Sequence, residues 1–343
     1  MPTPFPRHGV DRLTEALHDA VDKAVTPGGV IVSGTIGGER HVVTAGTVAV
    51  ELGDTPPSEG TLFDVASLTK VVATWPLVGR ALRDRLLELD APVRDFLPPI
   101  SGEAPSGQAT IEELLTHTSG LRAATRLDQY RGADAPLHEL LCREPRDDTS
   151  GAHRYINRGY ILLGLALSYV TGRALDELAN DLWGEIGMRS TRYGPVDRGP
   201  GVAPTEQRIV GAPRIWGSAP DDNAALLGGV AGHAGVFATP YDLARYAEHL
   251  LTVHSDDRSV LGHWLRTSMV PHTAIEPGLD RGLSWILADA GRVAYHHGWT
   301  GTSLYLAPHT GRYIAICTNA VYYGPSRGRL TPLRTLALQT IAT

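Results

Sequence analysis

The chain has 343 residues, of which 42% are hydrophobic and 20% charged, and it carries a formal charge of −6. That length can bury a large core in one big domain or two, and the ordinary composition excludes a disordered or fibrous chain. The negative charge and the lack of a lysine/arginine run argue against nucleic acid or acidic lipid as partners, and two cysteines, Cys142 and Cys317, cannot build a disulfide framework.

The opening segment Met1–Arg7 lacks a continuous apolar stretch, and no later segment approaches about 18 uncharged apolar residues, so a soluble, cytoplasmic protein without membrane contact is expected. Asp11 is placed to cap a helix whose Leu13, Leu17, Ala20, Val21 and Ala24 share one face and which ends before Pro27-Gly28-Gly29. The period then changes. Val30–Ile36 and His41–Val48 are β-branched runs around Gly37-Gly38-Glu39-Arg40, which predicts an antiparallel hairpin.

A polar loop leads to Phe63-Asp64-Val65-Ala66-Ser67-Leu68-Thr69-Lys70, a short apolar run followed by Leu68, Val71, Val72, Trp75 and Val78 at helical spacing. Ser67 is thereby placed at a helix N-terminus, where backbone N–H groups favour developing negative charge. Lys70 follows three residues later on the same face. A serine hydroxyl is inert at neutral pH unless a base takes its proton, and a lysine serves once burial has lowered its pKa. Lys23 and Lys70 are the only lysines in the chain, so about 0.1 chance matches to Ser-x-x-Lys are expected. The competing reading is a serine cap followed by a surface lysine.

From Lys70 to about Gly278 the pattern is mainly helical, with Pro76 expected to kink the Ser67 helix after two turns. Leu82–Asp90 is read as its continuation toward Pro92. Further helices are predicted at Ile111–Leu115, Gly159–Thr171, Ala174–Trp183 and Pro240–Val253. The glycine-rich run Leu227–Gly235 lacks the ending of a phosphate loop and is better read as close backbone packing. The last fifth returns to strands at Leu283–Ala288, Val293–His297, Thr302–Leu306 and Tyr313–Thr318, before a terminal helix at Thr331–Ile341. The fold expected is α/β of the α+β kind: an antiparallel sheet built from both chain ends (about residues 10–70 and 280–343), flanked by helices, with a mainly helical subdomain (about 71–279) inserted. A catalytic cleft between the two parts follows.

Three further stretches join Ser67-Leu68-Thr69-Lys70: Leu114–Leu121, Tyr155-Ile156-Asn157 and His296-His297-Gly298-Trp299. From about residue 10 to 340, together and in this order, they resemble the serine β-lactamase and penicillin-binding-protein superfamily, in its class C β-lactamase, DD-peptidase and esterase branch. The resemblance implies a single β-lactamase/transpeptidase-like catalytic domain in which Ser67 is acylated and Lys70 and Tyr155 move its proton. It implies further that Asn157 orients the acyl side chain and that the Ser67 and Trp299 N–H groups form the oxyanion hole. His296, His297, Gly298 and Trp299 would line the substrate site. His297 departs from the family pattern, because it replaces a small hydroxyl residue that helps to hold a substrate carboxylate. Adjacent histidines on a strand point to opposite faces, which disfavours zinc, and neither a metal nor an organic cofactor is expected. His117 reads as a packed structural histidine.

The reaction expected is acyl transfer through a Ser67 ester, from a small-molecule donor to water or to an amine acceptor. An esterase or a biosynthetic transacylase acting on an intracellular ester or amide is the preferred reading. A β-lactamase or DD-peptidase is the enzymatic alternative, and a non-catalytic binding protein on the same fold is the alternative of another class.

Overall fold

The computed structural model describes residues 4–324 and 327–343. Both ends of the chain supply one antiparallel sheet. Strands β1 (Gly28–Thr35) and β2 (Arg40–Gly46) come from the N-terminal part. Three short strands, β3 (Phe63–Asp64), β4 (Arg192–Tyr193) and β5 (Val236–Ala238), form a separate small sheet in the order β3-β5-β4. The strands β6 (Thr273–Glu276), β7 (Leu279–Arg281), β8 (Ile286–Ala288), β9 (Val293–His297), β10 (Ser303–Ala307) and β11 (Arg312–Thr318) complete the main sheet, in the order β2-β1-β11-β10-β9-β8-β7-β6.

The two-residue period of the central strands feeds two cores. Ile31, Ile314 and Ile316 face Leu13 and Leu17 of the helix Arg7–Asp22 and Leu333, Ala337 and Ile341 of the helix Thr331–Ala342. Val30, Val32, Ala315 and Cys317 face the other way, toward Leu243 and Leu250 of the helix Pro240–His254. Both sheet faces are covered, so β1 and β11 are buried along their whole length. Each such aliphatic side chain contributes about 1.5–3 kcal/mol by leaving water.

The expected hairpin, meander and terminal helix are present, with three differences. The first helix begins at Arg7 rather than near Asp11, because the Pro6 carbonyl already accepts the Gly9 and Val10 N–H groups. The strand expected from Leu283 starts only at Ile286, since Ser284 takes a left-handed φ of 75°. Helices Leu137–Arg143, Asp222–Leu226 and Val260–Ser268 and the strands β6 and β7 add to the predicted set.

The segment after Ser67 departs most from expectation. It runs as a 3₁₀ turn (Ala66–Leu68), a π-helical turn (Lys70–Thr74) and then an α-helix (Trp75–Arg83), with Pro76 in the first α turn rather than as a kink two turns in. The π turn frees the Val71 carbonyl and Pro76, lacking an N–H, frees that of Val72. Tyr246 Oη donates to the first at 2.6 Å and Trp183 Nε1 to the second at 2.9 Å. Leu82–Asp90 does not continue the helix, which stops at Arg83 before Arg85 turns left-handed.

Candidate active site

Ser67 lies on a cleft of about 1130 Å³ between the edge of β9 and the helical part of the chain. Its backbone is set by the preceding residues. Ala66 adopts a left-handed φ of 47°, a conformation costing a non-glycine residue about 1 kcal/mol, and the Asp64 side chain supports it by accepting the Ala66 N–H at 2.8 Å. The turn after β9 is laced to the same segment: Thr300 Oγ1 donates to the Asp64 carbonyl at 2.7 Å and Thr302 Oγ1 to that of Val65 at 3.0 Å. Gly298 has to be glycine here, because a Cβ would lie 2.3 Å from the Val65 carbonyl oxygen. Arg334 fixes the turn from its other side by donating to the Gly298 carbonyl at 2.8 Å. These contacts hold Trp299 and Ser67 in a fixed relation.

A 3₁₀ turn eclipses residues three apart. Lys70 Nζ accordingly donates to Ser67 Oγ at 3.1 Å, and also to Asn157 Oδ1 at 2.9 Å and to the His233 carbonyl at 3.2 Å. The amine is fully buried, and burial lowers its pKa from the usual lysine range, with Tyr155 opposing the shift. Its ammonium lies 4.9 Å from the Tyr155 ring centre and 5.4 Å from that of Tyr160. Tyr155 itself is exposed to the cleft. His117 stacks behind it at 4.4 Å while accepting the Ile156 N–H through Nδ1, so the structural role expected for His117 becomes that of a backing for Tyr155. Asn157 opens the helix Asn157–Thr171, which brings its side chain to Lys70.

His296 and His297 end β9. His296 is buried, and its Nδ1–H donates to the His297 carbonyl at 3.0 Å; the Tyr155 ring is 6.3 Å away. His296 therefore meets Tyr155 through a ring contact and not through a hydrogen bond. His297 shares a 2.9 Å hydrogen bond with Ser303 and packs against Tyr295 and Tyr305. Burial keeps both imidazoles well below their usual pKa, so both are neutral at pH 7. Ser67, Tyr155, Asn157, His296, His297, Gly298 and Trp299 all line the one cleft, with Lys70 beneath them.

The model of the beta-lactamase family matches residues 13–339. The chain belongs to the beta-lactamase family. It is accordingly an enzyme of the serine-hydrolase type. It is 27% identical over 299 residues to the N-acetylmuramyl-L-alanine amidase of Bacillus subtilis (strain 168), covering 76% of this chain and 68% of that protein. Among solved structures it is similar to EstCE1, described as a hydrolase with promiscuous acyltransferase activity, at a TM-score of 0.76 with 19% identity over 98% of this chain and 99% of that one. A class C beta-lactamase from Rhodobacter sphaeroides is similar to the same degree, with a TM-score of 0.76, 19% identity and coverage of 96% and 98%. At these identities the structural likeness establishes the β-lactamase fold.

Four residues around this beta-lactamase-family site escaped the sequence reading. Asp64 is buried, its Oδ2 has no partner among the described residues, and burial with the nearby charge of Asp221 pushes its carboxyl up to about 8. Asp221 Oδ1 accepts from His233 Nε2 at 2.8 Å and from the Ala224 N–H at 2.9 Å. Burial alone would raise the Asp221 carboxyl, but these bonds and Lys70 outweigh it and hold the group well below the usual range. His233, wholly buried, is lowered by that burial. Arg281 is buried at the cleft wall without an acidic partner among the described residues, 6.0 Å from the Tyr155 ring centre, and it donates to the Ser284 carbonyl at 3.0 Å. The Asp64 signal was present next to Ser67. Asp221, His233 and Arg281 belong to no motif and meet only in the fold. His233 falls in the glycine-rich run, whose expected close packing is found: a Cβ at Gly232 would stand 2.1 Å from the Tyr160 carbonyl oxygen.

Proposed function

We propose that this protein is a serine acyl-transfer enzyme that opens an ester or amide through an acyl-enzyme on Ser67 and releases the acyl group to water or to an amine. The observation that carries this reading is the buried Lys70 amine, 3.1 Å from Ser67 Oγ and beneath the Tyr155 ring. A buried amine with a lowered pKa can take the hydroxyl proton as Oγ adds to the substrate carbonyl. The N–H groups of Ser67 and Trp299 then receive the oxyanion. Tyr155 returns the proton to the departing alcohol or amine as the C–O or C–N bond breaks, leaving the Ser67 ester. Water or an amine adds to that ester, gives up its proton along the same path, and frees Ser67.

The His297 position favours an ester or a simple amide over a β-lactam or a wall peptide. Where the family pattern has a small hydroxyl, His297 brings an imidazole held by Ser303 and packed on two tyrosines. Transfer to an amine gains support from Trp299, which sets an indole wall on the cleft, and from the likeness to EstCE1. An intact Ser67–Lys70 pair speaks against a non-catalytic scaffold.

The deciding experiment holds an activated ester fixed and raises the amine concentration. Transfer predicts that product moves from free acid to amide, with a dependence on amine structure beyond basicity. Free acid as the sole product with every amine assigns the protein to plain hydrolysis. Failure to acylate Ser67 with any ester or amide overturns the reading.

A further inference from the structure

The cleft has two electrostatic ends. Arg281 marks one, where its charge is felt by His117, His296 and His297. Asp221 marks the other, where its charge is felt by Lys70 and Asp64. Five acidic residues line the cleft: Asp64, Asp128, Glu206, Asp221 and Asp222. Asp128 is paired with Arg126, and Glu206 and Asp222 are paired with Arg208. Asp64 is buried and keeps its proton at neutral pH. Asp221 is thus the one ionised carboxylate on the cleft wall with no lysine or arginine within ion-pair distance among the described residues. Its partner, His233, is wholly buried, and that burial disfavours the imidazolium although the bond to Asp221 opposes the shift. Both hydrogen bonds to the Asp221 side chain fall on Oδ1, and Oδ2 accepts none among the described residues.

A partly desolvated carboxylate with an unused oxygen is stabilised by a cation bearing N–H donors. We propose that Asp221 forms a subsite for a protonated amine carried on the acyl part of the substrate, so that the preferred donors are amino-acyl esters or amides. The assignment to the acyl part rests on the function proposed above: Tyr155 protonates the leaving group, which puts that group at the Arg281 end and the acyl chain at the Asp221 end. Orientation of His233, whose carbonyl holds Lys70, needs only Oδ1. Oδ2 makes no hydrogen bond to the described residues, and on a side chain that is 26% exposed it is open to a ligand entering the cleft.

The test compares p-nitrophenyl esters of β-alanine and 6-aminohexanoate with their methyl-ended counterparts, butanoate and heptanoate, each rate normalised to alkaline hydrolysis. The ammonium ester is expected to be preferred in kcat/KM by about tenfold or more in at least one pair, the scale of one charge-assisted hydrogen bond. Asp221→Asn, which keeps the acceptor for His233, should bring that ratio close to one, Asp221→Glu should retain part of it, and added salt should weaken it. A ratio near one in the wild type, or one that Asp221→Asn leaves intact, overturns the proposal; so does an equal loss on both members of each pair, the result of a positioning role alone. Calorimetry with 6-aminohexanamide and heptanamide on Ser67→Ala reads the same subsite without chemistry. Tighter binding of the amine that vanishes with Asp221→Asn supports the subsite even if no ester is turned over, and equal binding of the two amides overturns it.

Discussion

Lys70 Nζ is hydrogen-bonded to Asn157 Oδ1 at 2.9 Å, a contact shorter than its 3.1 Å bond to Ser67 Oγ, and one that joins the segment after β3 to the first turn of the helix Asn157–Thr171. Asn157 therefore acts on the amine as well as on the cleft. Replacing its neutral oxygen with a carboxylate favours the charged form of Lys70 and raises its pKa. Asn157→Asp is expected to move the ascending limb of the pH profile of kcat/KM to higher pH and to lower activity at pH 7. A limb that stays in place while activity falls would limit Asn157 to substrate contact.

Lys70→Ala and Tyr155→Phe should each slow acylation on the order of 10²-fold or more, the usual scale for lost general acid–base catalysis. The amine lies 4.9 Å from the Tyr155 ring centre, so the two share one proton path and the double variant should lose much less than the product of the single losses. Pre-steady-state bursts with an activated ester measure this directly. Multiplicative losses would separate the two residues.

Asp64 makes folding stability depend on pH in a stated direction. Its carboxyl is raised to about 8 by burial, whereas an unfolded aspartate titrates near about 4. Between those values the folded chain keeps a proton that the unfolded chain has lost, so stability falls as pH rises through this window and levels off above it. The slope contributed is at most about 1.4 kcal/mol per pH unit. Asp64→Asn keeps the acceptor for the Ala66 N–H and removes the titration, so the stability of the variant relative to wild type should rise from pH 4 to pH 8 in urea melts. A constant difference would mean that Asp64 is ionised in the folded protein.

Gly232→Ala should destabilise the fold by about 2–4 kcal/mol, because the added methyl meets the Tyr160 carbonyl at 2.1 Å, on backbone that also carries the acceptor for Thr74. A melting temperature within about 2 °C of wild type would show that this contact relaxes freely.

Periodicity made most of the sheet legible, because β1, β9, β10 and β11 are largely apolar runs whose alternate residues fill two cores. Strands β6 and β7 were hidden by their half-exposed, mixed composition around Gly278. The site residues with local spacing, Ser67 with Lys70 and Tyr155 with Asn157, could be read from the chain, as could the end of β9. The π turn could not, since its cause is tertiary: Tyr246 and Trp183 take up the carbonyls that it and Pro76 release. Asp221 and Arg281 gain their character from burial and from the partners they have or lack, which no spacing encodes.

Intact-mass and peptide analysis after incubation with a fluorophosphonate and with p-nitrophenyl esters bears most directly on Ser67. The expected result is one adduct per chain, on the peptide containing Ser67, together with loss of turnover in a Ser67→Ala variant whose melting temperature stays near that of wild type. An adduct on another residue, or turnover that survives in Ser67→Ala, would contradict the assignment of Ser67 as the nucleophile.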